Sequence, residues 1–339
     1  MPNKTTIIEV AQAAGVSKST VSRVLLGGAQ VKGETKTRVL NAIEQLGYER
    51  NELASSLRTA RTRMVMLALP DITNPFWPAV ARGLQDTLEP DGYSVVLANS
   101  DWDHAREQRF LATARRNRFD ALAINPAVVS QRALLADGTP TVILGLLDDF
   151  GGLDMVGSDS YGGTLQALDY LYELGHRRIG FIRGEHRGGR GHARHRAYAG
   201  FLRQAGLPFD PSLVVEAPFD LAGGQRAARL LLGQPSRPTA IFAANDVLAI
   251  GAMQTARQLG IDIPGELSVV GMDDIYAAAT ASPPLTTVAK AKYEIGVWAG
   301  RFLLDRMAAD APSPPRRHVA LCRMVVRDST APPGSAAAT

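Results

Sequence analysis

The chain has 339 residues, 45% apolar and 21% charged, with 37 Lys and Arg against 33 Asp and Glu. That is the balance of a globular protein long enough for two or three separate cores. There is no apolar stretch behind a positive start and no run near the ~20 residues that span a bilayer, so neither a secretory signal nor a membrane partner is expected and the setting reads as cytoplasmic. The single cysteine, Cys322, excludes an intramolecular disulfide and a cysteine-built metal site. Its apolar run, HVALCRMVV, points to a buried and inert thiol.

The first periodic segment is IIEVAQAAG, where Ile7, Val10, Ala11 and Ala14 share a helical face that stops at Gly15. GVSKSTVSRVL follows. Its Val16, Val21 and Val24, with Thr20 and Leu25, make an inner face, and Ser17 stands where a helix N-cap belongs. Lys18, Ser19, Ser22 and Arg23 are left outside. Two short helices joined by Gly-Val-Ser read as a helix-turn-helix. The plainer reading is a helical hairpin with a solvated polar face, and the charge distribution weighs against it. Residues 1–63 carry ten Lys and Arg against five Glu, while the remaining residues nearly balance. A basic surplus confined to this end is the footprint of a phosphate-backbone partner. TKTRVLNAIEQLGY then presents Val39, Leu40, Ile43 and Leu46 as the stripe of a third helix ending at Gly47. In residues 51–63 only Leu53 and Leu57 are apolar enough to bury, so a helix there needs a packing partner.

From Met64 the pattern becomes α/β. The runs MVMLALP, YSVVLANS, ALAINP and TVILGLL are strand-like, each followed by a helix-length segment, and RIGFIRG, LVVEAPF, AIFAAND and LSVVGMDD repeat the scheme. The alternation predicts two parallel-sheet units with a cleft between them, ligands binding beyond the carboxyl ends of the strands. Polar groups recur at those ends, in PDITNPFW, INP, APFD, AAND and GMDD. Phe76, Trp77 and Phe219 offer apolar faces, and Asn125, Asn245 and Asp273 offer bidentate polar edges. Each alone reads as a strand-end cap or turn; together they suit a small polyhydroxylated ligand. The loop RGEHRGGRGHARHR holds His186, His192 and His195 without a supporting acidic cluster, so it reads as a solvated loop or a gate for an anionic ligand, and no metal or other cofactor is expected. The tail 331–339, APPGSAAAT, reads as disordered.

VAQAAGVSKSTVSRVL, AIEQLGYERNELASSLRT, PDITNPFW, LGHRRIGFI, ANDVLAIGAM, LSVVGMDD, PPLTTV and VVRDSTAPP together resemble the lactose-repressor/galactose-repressor (LacI/GalR) family of bacterial transcription regulators, in order along nearly the whole chain. The resemblance implies an all-α helix-turn-helix headpiece over 1–50 and a hinge over 51–63. It implies a periplasmic-binding-protein-like core of two parallel-sheet subdomains over 64–330. The first is expected at about 64–160 plus 292–320, the second at about 161–290 plus 321–330. It further implies a homodimer on palindromic double-stranded operator DNA, controlled by a small molecule.

Carried over by position, Lys18, Ser19 and Arg23 fall on base-reading sites, and Thr20 and Ser22 on phosphate contacts or helix packing. Thr6 and Ser17 complete the expected DNA set, and Leu57, beside Arg58, falls on the leucine that wedges into the minor groove. The effector set falls on Phe76, Trp77, Asn125, Arg194, Phe219, Asn245 and Asp273, with Arg196 an alternative alignment for Arg194. The family's usual serine cap at the third helix is Lys32 here. A carbohydrate or sugar derivative is the expected effector, with a purine or nucleoside as the alternative. A plain solute-binding protein is disfavoured by the basic headpiece. An enzyme is disfavoured because no P-loop, GxGxxG turn or Ser-His-Asp order is legible.

Overall fold

A computed structural model of the chain describes residues 5–25, 31–48, 61–185, 192–308 and 314–334. It divides into two compact units, Met1–Thr62 and Arg63–Thr339.

In the first unit, α1 (Ile7–Ala13), α2 (Lys18–Leu25) and α3 (Gly33–Leu46) surround a small core of Val10, Val21, Val24, Val39 and Ala42. Thr6 and Glu9 form a reciprocal capping box on α1, and Ser17 Oγ accepts from Thr20 N at 3.2 Å at the start of α2. One expectation is corrected. Leu40 and Leu46 are 46% and 38% exposed, while the small Ala42 is buried with Val39. Leu40 lies a hundred degrees round the helix from Val39, outside the narrow strip where three short helices meet. Lys32, at the N-cap of α3, makes no side-chain cap bond. Lys32→Ser is therefore expected to stabilise this unit by about 1 kcal/mol, seen as a later headpiece transition in thermal melts of the intact chain. An unmoved transition would refute the cap argument. Leu53, Leu57 and Arg58 lie outside the described residues.

The second unit opens at Arg63, whose N–H donates to Asp120 Oδ2 at 2.9 Å and whose guanidinium reaches Asp91 O at 3.1 Å. Arg63, expected in the linker, is thus bound into the core. Six strands, β1 (Met64–Leu69), β2 (Ser94–Asn99), β3 (Ala121–Ile124), β4 (Thr141–Leu144), β5 (Asp154–Ser158) and β11 (Arg317–Ala320), form a parallel sheet in the order β11-β5-β4-β3-β1-β2. The second sheet takes β6 (Ile179–Gly184), β7 (Val214–Ala217), β8 (Ala240–Ala243), β9 (Ser268–Asp273), β10 (Thr286–Lys290) and β12 (Cys322–Val325), in the order β12-β10-β9-β8-β6-β7. Among the described strands only β12 runs antiparallel to its neighbour. Central strands such as β3, β4 and β8 are buried along their whole length, which is why they read as continuous apolar runs. The chain passes from one sheet to the other between β5 and α7 (Ser160–Glu173), between β10 and α12 (Lys292–Ala308), and between β11 and β12.

Helices cover both faces of each sheet. α4 (Phe76–Leu88) packs on α12 at close quarters: a Cβ at Gly83 would overlap Tyr293 O, and one at Gly296 would overlap Val80 O. Only glycine permits that approach. The tail expectation is also corrected. His176 Nε2 lies 3.0 Å from Ala331 O, and Ala331 N donates to Ser268 Oγ at 3.0 Å. These hydrogen bonds order the chain past 330; residues 335–339 lie outside the described residues. Cys322 is buried, and burial pushes its thiol pKa up, the inert state expected.

Candidate functional site

In both sheets the strand order reverses beside the first strand, between β1 and β3 and between β6 and β8, and the loops beyond these carboxyl ends line one cleft. Its volume is about 290 Å³. Every expected effector residue lies on its wall: Phe76, Trp77 and Asn125 from the first sheet's side, and Arg194, Phe219, Asn245 and Asp273 from the second.

Their local roles differ. Trp77, at 8% exposure, is chiefly a core side chain, meeting the Phe76 ring edge-on at 5.0 Å. Asn125 donates its amide to Leu144 O, so half of that side chain holds β3 to β4. Asn245 caps α10 (Asp246–Gln258) by accepting from Leu248 N at 2.9 Å, while its buried Nδ2 has no hydrogen-bond partner among the described residues. The cap and the binding edge are one side chain. Phe219 lies flat against Gly184, where any Cβ would overlap its ring. Arg194, on α8 (Ala193–Gln204), donates from Nε to Met272 Sδ at 3.2 Å, a weak acceptor for a guanidinium. The alternative, Arg196, lies 3.7 Å from Asp148 with both side chains well exposed.

At the deepest point Asp273 meets a residue the sequence reading missed. Lys290 Nζ stands 3.0 Å from Asp273 Oδ1, with side chains only 6% and 4% exposed. Beyond this ion pair, no other donor among the described residues reaches Oδ1. Burial, then the Arg194 charge, push the Lys290 pKa down, and Asp273 partly opposes them. Burial likewise lowers Arg194. Asp273 and Asp274 hold φ of +118° and +55°, a conformation unusual for L-residues, and Lys292 Nζ ties down both carbonyls. Trp102 is the other omission. Its φ is +58°, and its ring lies parallel to Phe219 at 6.4 Å across the cleft mouth. TTVAKAK signalled Lys290 only as a charged residue closing an apolar strand, and SDWDH carried no signal for Trp102.

Asp246, behind Asp273, is pushed up to about 7 by burial and then by the Asp273 charge, with Asp274 adding a smaller push and bonds from Thr287 and Ile275 opposing. Because its folded pKa lies above the ordinary 3.8, the folded chain holds a proton that the unfolded chain releases. This group's stabilising contribution is complete at low pH and lost as pH rises through about 7. Asp246→Asn is expected to flatten the dependence of urea midpoints between about pH 5 and 8. A variant profile parallel to the parent's would contradict it.

On the first unit, Lys18, Ser19 and Arg23 are exposed along α2 and Ser22 is half-buried. Ser17 Oγ engages Ser19 Oγ at 2.8 Å and Thr20 Oγ1 at 2.9 Å, and Thr6 is committed to its capping box. Lys18 and Arg23 thus present full-length cationic side chains on one helix, while the hydroxyls at 17, 19 and 20 organise its N-terminal turn.

A helix-turn-helix unit whose second helix exposes cationic side chains, joined in one chain to a two-sheet core with a cleft at both switch points, defines a helix-turn-helix regulator with a binding-protein core. Residues 6–51 match the signature of bacterial regulatory proteins of the lacI family, and residues 168–330 match that of the periplasmic binding protein-like domain. The HTH-type transcriptional regulator DegA of Bacillus subtilis is 33% identical over 97% of this chain and 99% of its own. The chain belongs to the LacI family of bacterial regulatory proteins. The HTH-type transcriptional repressor CytR of Escherichia coli is 31% identical over 96% of each chain. Among solved structures, the transcriptional regulator CelR–cellobiose complex aligns with a TM-score of 0.73 at 31% identity, covering 96% of this chain and 100% of that one. The Lac repressor dimer bound to operator and an anti-inducer shares the fold at a TM-score of 0.86 and 23% identity, covering 97% and 100%. Among the described residues no helix is long and apolar enough to cross a membrane.

Proposed function

We propose that this protein is a transcriptional repressor that binds a palindromic operator as a homodimer and is controlled by a carbohydrate or sugar derivative held in the core cleft. The observation that carries the reading is the exposed Lys18, Ser19 and Arg23 face of α2 in a chain whose second unit carries a ligand-sized cleft. Relatives support it: CytR is a repressor, CelR is seen with cellobiose, and the Lac repressor is seen as a dimer on operator. The protein acts by binding rather than catalysis, and in the cytoplasm, as befits a reader of bacterial DNA. Lys18, Ser19 and Arg23 read base edges; Thr6, Ser17, Thr20 and Ser22 support the helix or meet phosphates. Leu57 and Arg58, in the segment 51–63, act at the operator centre. That segment joins the two units, so it is where the effects of DNA and effector binding are linked.

The test is selection of binding sites from random duplex DNA. Lys18→Ala is expected to change which bases are preferred at one symmetric pair of positions, each worth about 1–3 kcal/mol. Arg38→Ala, on the exposed side of α3, is expected to weaken all sequences alike. A Lys18→Ala preference profile identical to the parent's would overturn the base-reading assignment, and absence of any selected sequence would overturn the function.

A further inference from the structure

The floor of the cleft holds two cations, Lys290 and Arg194, and one carboxylate, Asp273. Among the described residues, Lys290 Nζ has only Asp273 as its ionic partner, and Arg194 has only a thioether as acceptor. Two further polar atoms on this wall, Asn245 Nδ2 and Ser158 Oγ, are buried without a hydrogen-bond partner. Acids nearer the rim are engaged elsewhere. Asp159 accepts from Gly162 N at 2.8 Å, Asp71 accepts from Thr73 N at 2.8 Å, and Asp148 faces Arg196 in solvent. Unpaired donors and a surplus buried charge of this kind are costly until an anion meets them.

Resting on the regulatory reading above, we propose that the cleft takes a carbohydrate bearing a single carboxylate, a sugar acid, and that Lys290 is the residue that selects it over the neutral sugar. The carboxylate, planar and singly charged, fits between the Arg194 fork and Lys290 and neutralises their surplus. A phosphate monoester would bring about two charges to a floor whose two cations already share the Asp273 carboxylate. Asp273 Oδ1 and Asn245 Nδ2 remain for ring or chain hydroxyls, as acceptor and donor, with Ser158 Oγ able to serve either way. Phe76 and Phe219 supply the apolar faces.

Calorimetric titration of the intact protein decides the matter. The probes are D-gluconate, D-glucuronate and D-galacturonate against D-glucose and D-galactose, with D-glucose 6-phosphate alongside. At least one acid is expected to bind about ten-fold or more tighter than its neutral counterpart. Lys290→Gln is expected to cut that ratio about ten-fold. Lys290→Met, with melting temperatures recorded for both variants, shows whether the change is one of selectivity or of folding. The proposal is overturned if a neutral sugar binds as tightly as its acid, if the phosphate ester binds tightest, if none of the three acids binds, or if folded variants keep the parental ratio. Operator selection separates this from the function above. Selected operators without acid binding remove this inference alone, and acid binding without any selected operator removes the regulatory reading alone.

Discussion

Asp154→Ala is expected to lower the stability of the core by about 3 kcal/mol, the low end for stranding charges in a buried ion pair. The Asp154 carboxylate, fully buried at the start of β5, accepts from Arg306 Nε at 2.9 Å and Nη2 at 2.7 Å, and from Arg316 N at 2.7 Å and Nη2 at 2.8 Å. Two guanidiniums, 20% and 32% exposed, share this one acceptor. Removing it leaves both in a partly dry pocket; their remaining water access and the Arg316–Asp305 pair at 2.6 Å keep the cost from the upper end. Burial pushes the Asp154 pKa up, but the bonds from Arg306 and Arg316 together outweigh it and hold it below the ordinary value. Its contribution is therefore present above about pH 4 and lost as pH falls through the folded pKa. Urea unfolding at neutral pH is the measurement. A loss below about 1 kcal/mol would place Asp154 among ordinary surface pairs.

The second large effect is expected at Asp273→Asn, which keeps the shape of the side chain and removes its charge. Lys290 and Arg194 are then left on the cleft floor without their carboxylate partner, a change worth about 3–5 kcal/mol for a buried pair. Lys290 has an escape, because burial already lowers its pKa and losing the Asp273 charge lowers it further. A lysine with a lowered folded pKa contributes least to stability while the unfolded chain is protonated, and this penalty fades as pH rises toward the unfolded value. The stability gap between parent and variant should therefore be wider at about pH 6 than at about pH 9. A gap independent of pH would show that Lys290 does not titrate with the loss. The same variant loses the acceptor proposed for ligand hydroxyls, about 1.5–3 kcal/mol for a bond to a charged group, which calorimetry with a bound sugar would read.

Much of this architecture is local and so was legible in order along the chain. The helix-turn-helix followed from apolar spacing, from Gly15 and from the Ser17 cap, and the basic surplus pointed to its partner. The two α/β units followed from alternating apolar runs, since a parallel strand covered on both faces must be apolar throughout. Strand-end residues Phe76, Asn125, Phe219, Asn245 and Asp273 were legible because parallel topology sends every carboxyl end to the same side.

What only the tertiary structure decided was pairing between distant segments. Asp154 meets Arg306 and Arg316 across some 150 residues, and Lys290 reaches Asp273 only because β10 lies beside β9 in register. Leu40 and Leu46 read as core and are exposed, because helical periodicity marks an apolar face without fixing how wide a strip the neighbouring helices cover. Ala331 read as tail and is bound to Ser268 and His176, because composition scores a residue's own chemistry and not the acceptor the fold sets beside it. Local pattern determines which elements form and which faces are apolar. Which charges are buried together depends on strand order and chain crossings, and the chemistry of the cleft floor depends on those charges.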